Sequence, residues 1–139
     1  MQRVTQTMRD RFDRILDHIL DGLPEHILAR LDEIPLIVED EPDPDLLAEL
    51  DMEPDDELFG LHSGIGLTER SIEDDMVLPD QIHLFRGPII RHALELKDAD
   101  NPKDRQKARL DTQIRITLLH EIGHHYGLDE DDLDRLGYA

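Results

Sequence analysis

The sequence contains no cysteine and no tryptophan. The absence of cysteine excludes disulfides, zinc ribbons, iron–sulfur clusters and thiol nucleophiles, so any metal site has to be built from histidines and carboxylates. Eight histidines are present. A metal site of the histidine and carboxylate type is therefore open to this chain.

Long apolar runs are also absent. No uninterrupted apolar stretch approaches the roughly 18 residues that a membrane-spanning helix needs. The N-terminal stretch MQRVTQTMRDRFDRILDHIL carries charges throughout and has no apolar segment of the kind found in secretory signals. We expect a soluble, cytoplasmic protein without a membrane partner.

Basic residues are few. Fifteen Lys and Arg stand against 34 Asp and Glu, which gives a formal net charge of −19 in 139 residues. A chain of this charge repels nucleic acids and anionic membranes, so neither is expected as a partner. The charge is compatible with a preference for basic or unfolded segments as substrates, but we favour the simpler interpretation of a well-solvated surface.

The length predicts a single domain over residues 1–139, large enough to bury a hydrophobic core. Apolar residues at steps of three and four from Met8 to Leu23 predict a long amphipathic helix. Gly22 and Pro24 end this helix and start a second, at Glu25–Leu31. Strand patterns and further helices follow, so the order of elements predicts the α+β class.

Three segments have strand character. Ile34–Glu39 is almost continuously apolar, which predicts a strand covered on both faces. Leu58–His62 resembles a strand that runs into a Gly-rich turn, and no Gly-Lys-Ser/Thr follows to make a phosphate loop. Gln81–Arg86 alternates apolar and polar residues before Gly87, which predicts a half-buried or edge strand.

The segment EDEPDPDLLAELDMEPDDEL combines three prolines with many carboxylates. It predicts a solvated acidic loop with one helical turn at Leu46–Leu50, and it lacks the spacing of an EF-hand. Further along, Ile89–Leu96 predicts one or two helical turns. Lys103–Tyr126 is compatible with a helix at every position, and Gly127 ends it.

The last predicted helix carries the sequence HEIGHHYGLDE at 120–130, which contains an HExxH motif. His120 and His124 lie one turn apart on the same helix face, so both imidazoles can reach one Zn²⁺ at about 2.0 to 2.1 Å. Glu121 is rotated by about 100° and lies beside that position, where it can accept a proton from bound water as a general base. The stripe formed by Ile114, Leu118 and Ile122 is predicted to be core, as are Leu110, Ile116 and Leu119.

Carboxylates follow the predicted turn at Gly127, which brings them back toward the metal position. Glu130, ten residues after His120, is the best candidate for the third ligand, and Asp129 and Asp131 are alternatives. His125 can polarise a substrate or lie in solvent, and Tyr126 can pack or offer its phenol to an oxyanion. We favour the simpler interpretation that both side chains are half-buried and have no catalytic role. The competing interpretation of the motif is a pair of histidines that neighbouring carboxylates satisfy without any metal.

Four segments resemble the bacterial minimal zincin-like metallopeptidase family: IPLIVEDEP at 34–42, LFGLHSGIGLTERS at 58–71, LPDQIHLFRGPIIR at 78–91 and ITLLHEIGHHYGLDEDDL at 116–133. The resemblance implies a minimal zincin-like fold, in which a small mixed β-sheet packs with an N-terminal helix and an HExxH active-site helix. It also implies a zinc site written HExxHxxGxxD. His120 and His124 then correspond to the first two ligands and Glu121 to the catalytic residue, while Glu130 stands where the family has Asp.

These observations predict a zinc-dependent metallopeptidase with one Zn²⁺ per chain, acting on peptides or unfolded protein segments. By resemblance to zincins, Gln81–Arg86 is the expected strand platform for the substrate main chain. Only nine residues follow Glu130 and none is Met, so a Met-turn of the metzincin type is missing and an open site is expected. The alternatives are a non-catalytic metal-binding structural or regulatory protein, and an interaction module that binds no metal.

Overall fold

The structure is a computed structural model that describes residues 3–53, 56–63 and 81–125. Within these ranges the chain forms six helices and three strands, in the order α1 (Gln6–Asp21), α2 (Glu25–Leu31), β1 (Leu36–Glu39), α3 (Pro44–Glu49), β2 (Gly60–Ser63), β3 (Gln81–Phe85), α4 (Arg86–Leu96), α5 (Pro102–Lys107) and α6 (Leu110–His125). This mixture of helices with a small sheet confirms the predicted α+β class.

The N-terminal helices confirm the sequence prediction. The Thr5 side chain caps α1 by accepting from the Met8 amide at 3.2 Å, and Gly22 follows the last helical residue as the C-cap. Helix α2 has the predicted bounds and directly follows Pro24, whose carbonyl accepts from two amides of its first turn. One face of α1 is buried, because its apolar residues recur at helical spacing; the buried residues are Phe12, Leu16 and Ile19.

The three strands form one mixed sheet in the order β1-β3-β2. β1 runs parallel to β3, with Leu36 opposite Ile82, and β2 runs antiparallel to β3, with Leu61 opposite His83. A parallel pair needs a long crossover, which the chain between β1 and β3 provides. The predicted small mixed sheet is therefore confirmed.

Two predictions about the strands are wrong. Gln81–Arg86 was expected to form a half-buried or edge strand. β3 is half-buried, but it is the central strand and pairs on both sides, so the edge alternative and the role of edge platform are wrong. The alternation of its residues reflects the difference between the two faces of the sheet, which does not reveal whether its edges are paired. Ile34–Glu39 was expected to be covered on both faces, yet β1 is only half-buried because it lies at the end of this sheet.

Two helical predictions also need correction. Helix α4 begins directly after β3 and is longer than the predicted Ile89–Leu96, since Pro88 fits the first helical turn, where no amide donor is needed. The continuous helix expected over Lys103–Tyr126 is divided into α5 and α6. The division coincides with a change in burial, because α5 has no buried residue whereas α6 packs in the interior. A single straight helix would not place its first part on the surface and its second part in the core.

Helix α6 lies at the centre of the core and packs against β2, β3, α1 and α4. Its predicted apolar stripe is fully buried, whereas Leu110, Ile116 and Leu119 are only partly buried. The core cluster comprises Phe12, Leu16, Ile19, Ile34, Ile82, Leu84, Ile89, Ile90, Ile114, Leu118 and Ile122. None of the helices within the described ranges is long and apolar enough to cross a membrane.

The acidic segment does contain a short helix near the predicted turn, α3, capped by Asp43. Its carboxylates, however, are not simply solvated. Glu41 and Glu57 both accept from the guanidinium of Arg91, whose side chain is 13% exposed. Hydrogen bonds to Glu41 raise the pKa of Arg91 above its ordinary value although burial opposes this, so the guanidinium stays charged.

Arg86 holds the beginning of the same acidic segment against α1. It donates to both carboxylate oxygens of Asp13 at 2.9 Å and to Asp40 at 3.1 Å, and its side chain is 14% exposed. Arg9 on α1 also donates to Asp40, at 2.8 Å. Sheltered ion pairs with several hydrogen bonds are stronger than exposed single contacts. These arginines therefore attach the acidic segment to α1 and α4.

We expect Arg91→Met to lower the free energy of unfolding by about 1 to 3 kcal/mol, because it leaves the Glu41 and Glu57 carboxylates without their shared donor. Chemical denaturation would measure this loss. Arg109→Met is the matched control, since Arg109 pairs with Asp111 while 70% exposed and should change stability by less than about 1 kcal/mol. Equal losses in the two variants would show that Arg91 does not anchor the acidic segment.

Candidate metal centre and cleft

The HExxH motif occupies the last turns of α6. The Nε2 atoms of His120 and His124 are 2.9 Å apart, and the two rings meet nearly edge to face, at 77°. Both nitrogens therefore point to the same position beside the helix. This is the arrangement predicted from the one-turn spacing of the two histidines.

Glu121 completes a group of three side chains whose types are able to bind a metal ion. One ligand atom from each of His120, Glu121 and His124 can be chosen so that all lie within 4.8 Å of one another. Two nitrogen ligands at about 2.0 to 2.1 Å from a tetrahedral ion lie about 3.3 Å apart, so the imidazoles need to separate by only about 0.4 Å to hold zinc. Histidine and carboxylate ligands of this kind suit a divalent first-row metal ion.

The two kinds of side chain differ in burial. Both metal-facing histidines are partly exposed, whereas Glu121 is only 7% exposed. A buried carboxylate beside open histidines can exchange a proton with a group bound at the metal position while remaining fixed in place. This burial suits Glu121 to a role in proton transfer better than to the role of a solvated surface carboxylate.

Helix α6 presents three neighbouring stripes, because residues four apart share a face. The first stripe, Ile114, Leu118 and Ile122, enters the core. The second contains buried polar residues, Gln113, Thr117 and Glu121. The third includes Ile116 and His120, which reach the surface at a cleft. Ile116, predicted as core, thus forms part of the cleft wall.

This cleft has a volume of about 410 Å³ and lies beside His120 and Glu121. Phe59 and His92 form one wall, with their ring centroids 4.9 Å apart, and Lys107 also lines it. The sequence did not reveal these three residues. Phe59 directly precedes β2, His92 is on α4 and Lys107 is on α5, and no local sequence pattern connects these parts of the chain. A concave site of this size next to a metal-ligating group suits a side chain or small ligand.

Gly60 is a further residue that the motif did not reveal. A Cβ atom at this position would lie 3.0 Å from the His83 carbonyl oxygen, 3.0 Å from Thr117 Cγ2 and 3.1 Å from Glu121 Cγ. Such distances are too short for a relaxed contact, so the missing side chain lets β2 approach α6 closely. Its position inside an apolar strand segment was the available signal, because a glycine there often marks close backbone approach.

His125 lies outside the three-residue group. It is 5% exposed and packs edge to face against His62 on β2, with 5.5 Å between ring centroids. It was expected to be half-buried, and it is buried more deeply than that. The other predicted participants, Tyr126, Gly127, Asp129, Glu130 and Asp131, lie outside the described residues.

Gly60→Ala should lower the free energy of unfolding by about 1 to 3 kcal/mol, because the added methyl group forces α6 and β2 apart at Thr117 and Glu121. Gly22→Ala is the matched control. Its Cβ would meet only atoms at 3.7 Å and its φ is −93°, so it should be neutral or stabilise by up to about 1 kcal/mol. Thermal or chemical denaturation would compare them, and the same sign of change in both variants would contradict the proposed close contact.

Comparison with known proteins adds a finding that is independent of this geometry. The family model described as zincin-like metallopeptidase matches residues 31–138, which is most of the chain. A search of curated proteins finds no match. The matched range contains the sheet, the cleft and the complete HExxH motif, and the observed α+β architecture agrees with it. The chain therefore belongs to the zincin-like metallopeptidase family.

Proposed function

We propose that this protein is a zinc-dependent peptidase that hydrolyses peptide bonds with metal-activated water and Glu121 as the general base. The observation that carries the proposal is the group formed by His120, Glu121 and His124 beside an open cleft. Membership of the family supports it, since peptides are the substrates that a metallopeptidase family implies.

His120 and His124 would hold one Zn²⁺ per chain, and Glu130, in the position where the family motif has Asp, would supply the third ligand. Histidine and carboxylate ligands without thiolates suit catalytic zinc, which keeps a coordination position for water. Zinc bound there would lower the pKa of a water ligand to about 7 and would polarise a carbonyl group. Asp131 is the competing third ligand.

Glu121 takes the proton from the attacking water and passes it to the leaving amine. Its side chain is buried, and its Cγ packs closely against the backbone of β2 at Gly60. A base held in this way does not need to be reoriented during the reaction, which lowers the entropic cost of reaching the transition state. The mechanism requires no covalent intermediate.

Strand β2 takes over the role of substrate platform that the sequence analysis assigned to Gln81–Arg86. β3 is paired on both sides, whereas β2 has one partner strand in the described part of the sheet. β2 also begins at Gly60, which lines the cleft next to His120 and Glu121. A peptide added along this edge would place its scissile bond near the metal-ligating group.

The cleft indicates which side chains fit beside the scissile bond. Leu58, Phe59 and Ile116 give it apolar walls, and Lys107 adds a positive charge. Glu121 is the sole carboxylate among the described lining residues. Despite the overall charge of −19, we propose that this pocket accepts apolar or acidic side chains in preference to basic ones.

We expect protein purified without an affinity tag to contain about one zinc per chain, and His120→Ala to lose it because one of the few ligands is removed. Elemental analysis after dialysis would measure the metal content. Glu130→Ala should weaken zinc binding by at least about tenfold, whereas Asp131→Ala should leave it unchanged.

His18→Ala is the control for the metal measurement, because His18 is an exposed histidine on α1. Loss of zinc in this variant as well would indicate nonspecific binding by surface histidines. A wild-type protein that stays free of metal after zinc addition and dialysis would rule out the proposed reaction and favour an interaction module.

We expect Glu121→Gln to reduce the hydrolysis of a quenched fluorogenic peptide library by at least about a hundredfold while retaining zinc, since the amide cannot accept the proton. Glu95→Gln, an exposed substitution on α4, should leave both quantities unchanged. Zinc binding without any cleavage by the wild type would indicate a structural or regulatory metal site instead. Full turnover by Glu121→Gln would show that another group is the base.

A further inference from the structure

A second groove, with a volume of about 510 Å³, opens between α1, α4 and the segment joining α5 to α6. It shares no lining residue with the cleft at the HExxH motif. Leu110 lines it at the first residue of α6, about 15 Å of helix before His120. The rims of the groove and the cleft are nevertheless neighbours, because Ala93 and Ala108 of the groove directly follow His92 and Lys107 of the cleft in the chain. We call it the basic groove because it is lined by Arg11, Lys97, Arg105 and Arg109.

Four basic residues surround the groove: Arg11 on α1, Lys97 at the end of α4, Arg105 on α5, and Arg109 before α6. Among the described residues no Asp or Glu lines it, although acidic residues outnumber basic ones by 34 to 15 in this chain. Arg109 does pair with Asp111, but this contact is exposed and therefore weak. The charged side chains that line the described part of the groove are thus all basic, in contrast to the acidic protein as a whole.

The floor of the groove is apolar. Ile90 and Ala93 are buried in it, and Met8 and Leu110 are partly buried. Leu94 is 43% exposed, and it and Leu50 are the large hydrophobic residues left exposed in the described part of the chain. An aliphatic ligand on this floor would remove the Leu94 side chain from water.

We propose that the basic groove binds the anion of a single-chain aliphatic acid, with the carboxylate among the arginines and the alkyl chain over Leu94. Guanidinium groups bind carboxylates in a planar, two-pronged geometry, which favours this head group. The volume lies within the range of small-ligand pockets. A flat anionic membrane fits less well, because the groove is concave and the net charge of −19 repels such a surface.

The binding does not depend on the metal centre or on peptidase activity. Isothermal titration calorimetry should measure this binding, with decanoate kept below its micelle-forming concentration. We expect saturable 1:1 binding with a Kd of about 1 mM or tighter. Octanoate and hexanoate should bind progressively more weakly, by up to about fourfold for each CH₂ removed. Decanol, which has no charge, should bind at least about fivefold more weakly than decanoate.

Two pairs of variants locate the site. Arg105→Glu should weaken decanoate binding at least about fivefold, whereas Lys103→Glu, on the same exposed helix but outside the groove, should not. Leu94→Gln should also weaken it, whereas Leu50→Gln removes the other exposed leucine and should have no effect. These four residues are exposed, so the substitutions leave the core intact.

Several outcomes would overturn the proposal. Absence of saturable binding, equal affinity for decanol, or equal effects of Lys103→Glu and Arg105→Glu would each do so. Binding to vesicles of anionic phospholipid without binding to free decanoate would assign the groove to a membrane surface instead. Binding that is abolished by His120→Ala but unaffected by Arg105→Glu would place decanoate at the metal centre.

Discussion

The burial of α6 between the sheet and two helices is the constraint on which the rest of the structure depends. Ile114, Leu118 and Ile122 fill the core, and this fixes the rotation of the helix about its axis. Because side chains on a helix have a fixed angular spacing, the same rotation places Glu121 in a sheltered position and His120 at the cleft. Stability and the geometry of the candidate metal centre therefore have one origin.

The contact between β2 and α6 defines the second side of the site. Gly60 permits this approach, since any side chain there would press on Thr117 and Glu121. This contact also affects the cleft, because β2 borders it at Gly60. Within the described sheet, β2 has one partner strand. The same strand thus packs against Glu121 and borders the cleft.

The charge of −19 is distributed unevenly, and its average conceals two opposite arrangements. In the acidic segment, carboxylates bind Arg86 and Arg91, which attach the segment to the helices behind it. At the basic groove, cationic side chains from four segments gather over an apolar floor. Composition predicted the repulsion of polyanions, but only the three-dimensional arrangement distinguishes paired carboxylates from solvated ones.

The sequence by itself determined the two N-terminal helices, the existence of the three strands, the buried stripe of α6 and the facing pair His120 and His124. Each depends on residues a few positions apart, whose spacing records their shared environment. Only the tertiary structure decided that β3 is central, that α6 begins at Leu110, that Arg91 binds the acidic segment and that Gly60 touches Glu121. These features join distant parts of the chain, and local periodicity carries no information about which of those parts meet.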